Sequence, residues 1–238
     1  MMDLTPPDLT PVYAELADRR AFLAGLSETT FFDVEPGSVL ASDDAALAPL
    51  SLSEVARGTF IAATEQLVDV SSVAARFALL RSSLESAAIA IWLLEADDPT
   101  ERATRLLSEV WGDIRDSDRL ATSLGGALDS LPHQERDWKA AHRGVFAEAD
   151  PVARQMPVAI AKKIDVAAVV VADFTEVPNA AAAIRGSWTA FGAIARGRSG
   201  SFDPDAGADA MSAGSISLVL DVLETAASLY HVRAVGTN

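Results

Sequence analysis

Apolar residues recur every three or four positions along most of the chain, and this spacing predicts amphipathic helices. The clearest run extends from Val55 to about Glu95, as either one long helix or two helices with a break near Ser71-Ser72. Ahead of it, Ser51-x-x-Glu54 has the pattern of a capping box, in which the serine side chain accepts from the backbone N–H three residues later. The same spacing predicts further helices at about 11–26, 100–119, 132–148, 179–195 and 212–233.

Prolines, glycines and short polar residues mark where these helices begin and end. Asp98 is expected to cap a helix with Pro99 in its first turn, and Asn179 is expected to cap a later one. Gly125-Gly126 breaks the chain. Phe31–Pro49 shows no helical period and contains Gly37, which predicts a loop pinned to the body by its two phenylalanines.

The segment Val166–Phe174 is ambiguous, because its valine run would suit a buried strand. No partner strand is predicted elsewhere, and an isolated strand cannot satisfy its backbone groups, so we predict a helix. The whole pattern predicts an all-α, multi-helix bundle with a central apolar helix at Phe77–Leu94. Residues 1–50 are expected to form a tail, a helix and a loop packed on a bundle domain at residues 51–238.

Composition excludes several classes of function. The 238-residue chain has a net charge of −15, which argues against membrane and nucleic-acid partners, with RNA left open. It has no cysteine and three histidines, so we expect no metal and no cofactor. The start lacks the pattern of a signal peptide and no apolar run reaches the length of a membrane span, which favours a cytoplasmic location.

The predicted central helix carries two charged residues, Arg81 and Glu85, which lie one turn apart, and Trp92 falls on nearly the same side. An intrahelical ion pair that fixes the helix register is one interpretation. The other is a ligand-binding group in which Arg81 holds an anion and Glu85 orients the guanidinium.

The segment Arg136-Asp-Trp-Lys-Ala-Ala-His142 resembles the Arg-polar-x4-His signature of HEPN ribonucleases, helical bundles that usually act as dimers. The resemblance implies a metal-independent ribonuclease in which His142 activates a ribose hydroxyl and Arg136 steadies the phosphate. Six residues is not a same-face spacing, so convergence needs a bend or a dimer partner. A solvated, basic helix face is the alternative interpretation.

Arg196 and Arg198 lie in a stretch without acidic residues, next to Gly197 and Gly200. Glycines allow close backbone approach, so a phosphate or carboxylate is a candidate ligand there. The alternative is a surface loop.

The pattern Arg-Ser-Ser-Leu-Glu-Ser-Ala at 81–87, Trp92-Leu-Leu and Glu101-Arg102 resembles uncharacterised all-helical proteins of actinobacteria and their mobile elements. The resemblance implies fold and origin and no function. We therefore favour a non-enzymatic interaction or regulatory module that self-associates or binds a protein partner. A HEPN-like ribonuclease and a small-anion-binding protein are the alternatives.

Overall fold

The computed structural model describes residues 8–68, 70, 72–123, 158–197 and 208–236. All regular structure in these residues is helical, which confirms the predicted all-α, multi-helix bundle. Two short 3-10 turns, Leu26–Glu28 and Thr30–Phe32, follow the first helix. The α-helices are α1 (Thr10–Gly25), α2 (Val39–Leu47), α3 (Leu52–Glu65), α4 (Val73–Glu95), α5 (Pro99–Ser123), α6 (Ile160–Thr175), α7 (Ala180–Ala195) and α8 (Ala208–Ala234).

Helix α4 is the central apolar helix, as predicted. It packs against α3, α6, α7 and α8, and its residues Phe77, Leu84, Ile91 and Leu93 are fully buried. A helix that is apolar on nearly all sides is stable in water only when other helices cover those sides, and this is why α4 lies at the centre of the bundle.

Three helix starts agree with the sequence. The Ser51 hydroxyl accepts from the backbone N–H of Glu54 at 3.1 Å, and Asp98 accepts from that of Thr100 at 2.9 Å. The run from Val55 to Glu95 is two helices, because Ser72 caps α4 by accepting from the backbone N–H of Ala75 at 3.4 Å.

The predicted loop Phe31–Pro49 is wrong in part, because α2 lies within it. Ser38 starts this helix by accepting from the backbone N–H of Ala41. Its buried positions are Leu40, Asp43 and Leu47, and the charge in the middle of that face hides the helical period. The expected anchor is present, since Phe32 is buried and its ring lies 5.1 Å from that of Phe60.

A buried ion pair holds α2 against the α4–α5 turn. Arg102 on α5 donates to both carboxylate oxygens of Asp43, at 2.7 Å and 2.9 Å. The same guanidinium donates to the backbone carbonyls of Ala96 and Asp97. Since the two charged side chains are 3% and 5% exposed, their charges are compensated by each other and by the turn rather than by water.

The valine run at Val166–Phe174 is helical and lies within α6, as predicted. Asn179 precedes α7 but does not cap it with its side chain: its backbone is left-handed, with φ of 66°, and no side-chain bond is made. The last helix begins at Ala208, four residues before the predicted start. Gly125-Gly126 and the predicted helix at about 132–148 lie outside the described residues.

Helix α4 and residues Met211–Ala234 of α8 are each long and apolar enough to cross a membrane, by length and composition alone. No such segment was predicted from the sequence. The apolar windows of the two helices are 61% and 56% buried inside the protein, as is usual for the core helices of a bundle.

Candidate functional site

Arg81 and Glu85 form the ion pair expected from their spacing, with Arg81 Nε 2.8 Å from Glu85 Oε1. The same carboxylate oxygen accepts from the indole N–H of Trp188 on α7, at 2.7 Å. The Arg81 guanidinium lies over the Trp188 ring, with its central carbon 5.0 Å from the ring centroid. Glu85 therefore orients a guanidinium and an indole together, and the pair joins α4 to α7.

Arg196 also reaches this place. A Cβ built on the buried Gly192 would lie 1.8 Å from Nη1 of Arg81 and 3.2 Å from Nη1 of Arg196, so both guanidinium groups approach the same backbone position. Gly192 is required for this close approach, because any side chain would occupy the place of the Arg81 guanidinium. Two of the residues singled out from sequence are thus brought together.

We expect Gly192→Ala to displace Arg81 and to weaken the α4–α7 contact. The matched control is Gly186→Ala on the same helix, where an added Cβ meets nothing within 4 Å. The control is expected to raise the free energy of unfolding by about 0.5–1 kcal/mol, since alanine favours helix over glycine. Gly192→Ala is expected to fall about 0.5–1.5 kcal/mol below the control in urea unfolding, because the flexible Arg81 side chain can move aside but then loses its hydrogen bond to Glu85. Equal stabilisation by both substitutions would contradict the close approach.

Trp92 lies on the same side of α4 but is not part of this group. Eleven residues separate it from Arg81, which is about 16 Å along a helix. Its buried ring contacts other cations: Lys163 Nζ lies 4.9 Å and the Arg105 guanidinium carbon 5.6 Å from ring centroids of Trp92. The structure therefore separates Trp92 from the Arg81–Glu85 pair.

The remaining residues predicted from sequence lie outside the described part of the chain. These are Arg136 and His142 of the ribonuclease interpretation, and Arg198 of the glycine-containing loop. The ribonuclease site therefore stays a prediction.

A second place, which was not predicted from the sequence, has more of the features of a binding site. It is a cleft of about 370 Å³, near the lower end of the ~300–1,000 Å³ range of ligand pockets. Its apolar and aromatic residues come from α1, the connection after α3, α4 and α8; they are Tyr13, Leu16, Ala17, Leu67, Val68, Leu79, Leu80 and Ile216.

The α1 wall of this cleft packs through the buried Leu16 and Leu23, and one arginine bonds it to α8. Arg19 donates to Glu224 at 2.8 Å, to Asp221 at 2.7 Å and to the hydroxyl of Ser217 at 3.3 Å, all on α8. The hydrogen bonds to the two carboxylates raise the pKa of Arg19 further above its already high value, so Arg19 stays positively charged at every pH at which the protein is folded. We call these bonds from Arg19 to α8 the Arg19 clamp. Because α1 turns once in 3.6 residues, the clamp presents the stripe at 13, 16, 17 and 20 to the cleft.

Apart from the Tyr13 hydroxyl, the polar side chains of the described lining are two arginines and one amide. Arg20 donates from Nη1 to the carbonyl of Leu67 at 2.9 Å, and Arg76 donates to Val70 and Ser212. The Oε1 atom of Gln66 is buried and has no hydrogen-bond partner. A buried acceptor without a donor costs about 1–3 kcal/mol, so this atom marks a position where a ligand donor is favoured.

The sequence contains one signal for this cleft. A stripe at helical spacing on α1 consists of Tyr13, Leu16 and Ala17 and ends with the charged Arg20. No such signal marks Gln66 and Arg76, because their positions in the cleft depend on the path of the chain between α3 and α4.

Among the described residues, no group of three or more histidine or acidic side chains is placed to hold a metal ion. No protein-family model, curated protein or solved structure gives a significant match to this chain. The resemblances drawn from the sequence therefore stay predictions, and the function has to be argued from the residues of the cleft.

Proposed function

We propose that this protein is a non-enzymatic binding protein that holds a small amphipathic carboxylate in the cleft between α1 and α4. The observation that carries the proposal is the make-up of the cleft: apolar walls, two arginines and a buried amide oxygen without a donor. The proposal joins two expectations from the sequence, a non-enzymatic module and a small-anion-binding protein, at a different place from the one expected.

The charge of the cleft favours an anion. The chain has 34 acidic residues against 19 basic ones, yet Arg20 and Arg76 are the charged residues among the described residues of the lining. Arg20 uses Nη1 for one backbone carbonyl and makes no other hydrogen bond to the described residues. Its remaining N–H donors match the oxygens of a carboxylate.

The walls and the amide define the rest of the ligand. Tyr13, Leu79 and Ile216 offer apolar surface to a hydrocarbon body. The Oε1 atom of Gln66 calls for a hydroxyl or N–H donor on the ligand. A hydroxylated alkanoate of medium length supplies the carboxylate for Arg20, the hydrocarbon body for the walls and the hydroxyl donor for Gln66.

The described lining supports binding rather than catalysis. It contains no serine, threonine, histidine, lysine or carboxylate, and Tyr13 is its one hydroxyl group. General acid–base and nucleophilic chemistry need such groups next to the reacting atoms. We therefore propose that the ligand leaves the cleft unchanged and acts as a signal or a cargo.

Arg20→Gln is expected to weaken octanoate binding about 10- to 150-fold in isothermal titration calorimetry, the equivalent of one charge-assisted hydrogen bond. The matched control is Arg185→Gln, which removes the same charge from α7 at an exposed pair with Asp165. A hydroxylated octanoate is expected to bind more tightly than octanoate, and neutral octanol more weakly. Equal losses in both variants, or octanol binding as tightly as octanoate, would overturn the proposal.

The other expectations from sequence remain proposals of lower rank. Self-association or a protein partner is supported by exposed apolar side chains, of which Phe22 on α1 and Phe174 on α6 are the largest. A cytoplasmic location and an actinobacterial origin rest on composition and resemblance alone.

A further inference from the structure

A second cavity lies between α4, α5 and α6 and differs from the cleft in its chemistry. It has a volume of about 310 Å³. Its acidic lining residues are Glu85, Glu109, Asp113 and Asp116, and Lys163 is its one basic residue among those described. The described lining therefore carries an excess of negative charge.

Helical spacing brings these polar groups to one place. Ser82, Glu85 and Ser86 lie on one side of α4, one turn apart. Ser108, Glu109, Gly112, Asp113 and Asp116 form the facing side of α5. The N-terminal turn of α6 contributes Lys163 and closes the cavity on the third side.

Three of the four acids already have partners. Glu85 binds Arg81 and Trp188, Glu109 binds Lys163, and Asp116 binds Arg119. Asp113 has no hydrogen bond or ion pair to the described residues. Partial desolvation and the charge of Glu109 raise the pKa of Asp113, and Lys163 offsets this rise only in part. Among the described residues, the positive charge near this carboxylate therefore does not balance the negative charge.

Ser108 gives an independent sign that a ligand belongs here. Ser108 is 2% exposed, and its hydroxyl oxygen has no hydrogen-bond partner. Buried hydroxyl groups are nearly always bonded, because leaving one without a partner forfeits its hydration. On α5, Ser108 and Asp113 lie at the two edges of the helix face that lines the cavity, with Ser108 on its buried edge and Asp113 on its exposed edge.

We infer that this cavity binds a small organic ammonium ion, such as an aliphatic diamine, with Asp113 as its counter-ion and Ser108 as a hydrogen-bond acceptor. An ammonium group carries several N–H donors, which match a carboxylate and the serine hydroxyls that line the cavity. A metal ion is disfavoured, since no group of three ligands is placed to hold one among the described residues.

The test is calorimetric titration of the full chain with putrescine at fixed ionic strength. Asp113→Asn is expected to weaken binding about three- to fivefold, because Asp113 is exposed and solvent screens part of its attraction for a cation. Ser108→Ala is expected to weaken it less. The matched control is Asp173→Asn, an equal charge change at an exposed carboxylate on α6 outside the cavity; it is expected to change affinity less than about twofold.

Three results would overturn the inference. The first is an equal loss in Asp113→Asn and Asp173→Asn, which would show general attraction to an acidic protein. The second is equal binding of neutral butanediol. The third is displacement of putrescine by magnesium at equal concentration, which would indicate a metal site. Thermal unfolding of each variant shows that it is folded, and putrescine binding is independent of the octanoate titration.

Discussion

Arg102→Met is expected to lower the free energy of unfolding by about 3–5 kcal/mol, the cost of removing one partner from a buried ion pair. The substitution leaves Asp43 charged at a position that is 5% exposed. It also removes the donors for the carbonyls of Ala96 and Asp97. The expected result is therefore loosening of α2 and of the α4–α5 turn together.

Chemical unfolding followed by circular dichroism measures this loss. The control is Arg119→Met, which breaks a pair with Asp116 that is mostly exposed and is expected to cost about 0–1 kcal/mol. The double variant Arg102→Met with Asp43→Leu is expected to be more stable than Arg102→Met alone, because no uncompensated carboxylate remains. A double variant as unstable as the single one would show that the turn carbonyls, and not the ion pair, determine the effect.

Phe77→Ala is expected to destabilise the protein by about 3–5 kcal/mol, the range for a buried phenylalanine. Phe77 is fully buried in α4, and its ring lies 5.5 Å from that of Phe191 on α7. Alanine there leaves a cavity between two helices that the Arg81–Trp188 contact also joins. Both contacts belong to the same interface.

The control is Phe174→Ala, which removes the same ring from a position that is 58% exposed, and is expected to change stability by less than about 0.5 kcal/mol. Unfolding midpoints of the two variants give the comparison. Similar midpoints would mean that the α4–α7 interface closes around the missing ring.

The helices that follow a clean apolar period could be predicted from sequence, since period and caps are local. Ser51, Ser72 and Asp98 mark helix starts through bonds to residues two or three positions away. Helix α2 was missed because Asp43 interrupts its apolar face. That charge is explained only by Arg102, 59 residues later, and no local rule connects the two.

The candidate site shows the same division. The Arg81–Glu85 pair is local and was expected, whereas Trp188 binds Glu85 across 103 residues and was not. The angular position of Trp92 around α4 predicts that it lies beside the pair, but that angle says nothing about its distance from the pair along the helix axis. The cleft combines α1, the α3–α4 connection, α4 and α8, so Arg20 and Arg76 line the same cavity only once the bundle is assembled.

The Arg19 clamp has a consequence for how such a protein diverges. Two walls of the cleft belong to α4 and α8, whose neighbouring residues form the core and tolerate little change. The third wall, α1, packs on the core through Leu16 and Leu23 and is bonded to α8 by Arg19. Its exposed positions Ala17 and Arg20 lie outside that core. We expect substitutions there to alter the width and charge of the cleft with little effect on the bundle. Under the proposed function, ligand preference would then change more readily than the fold.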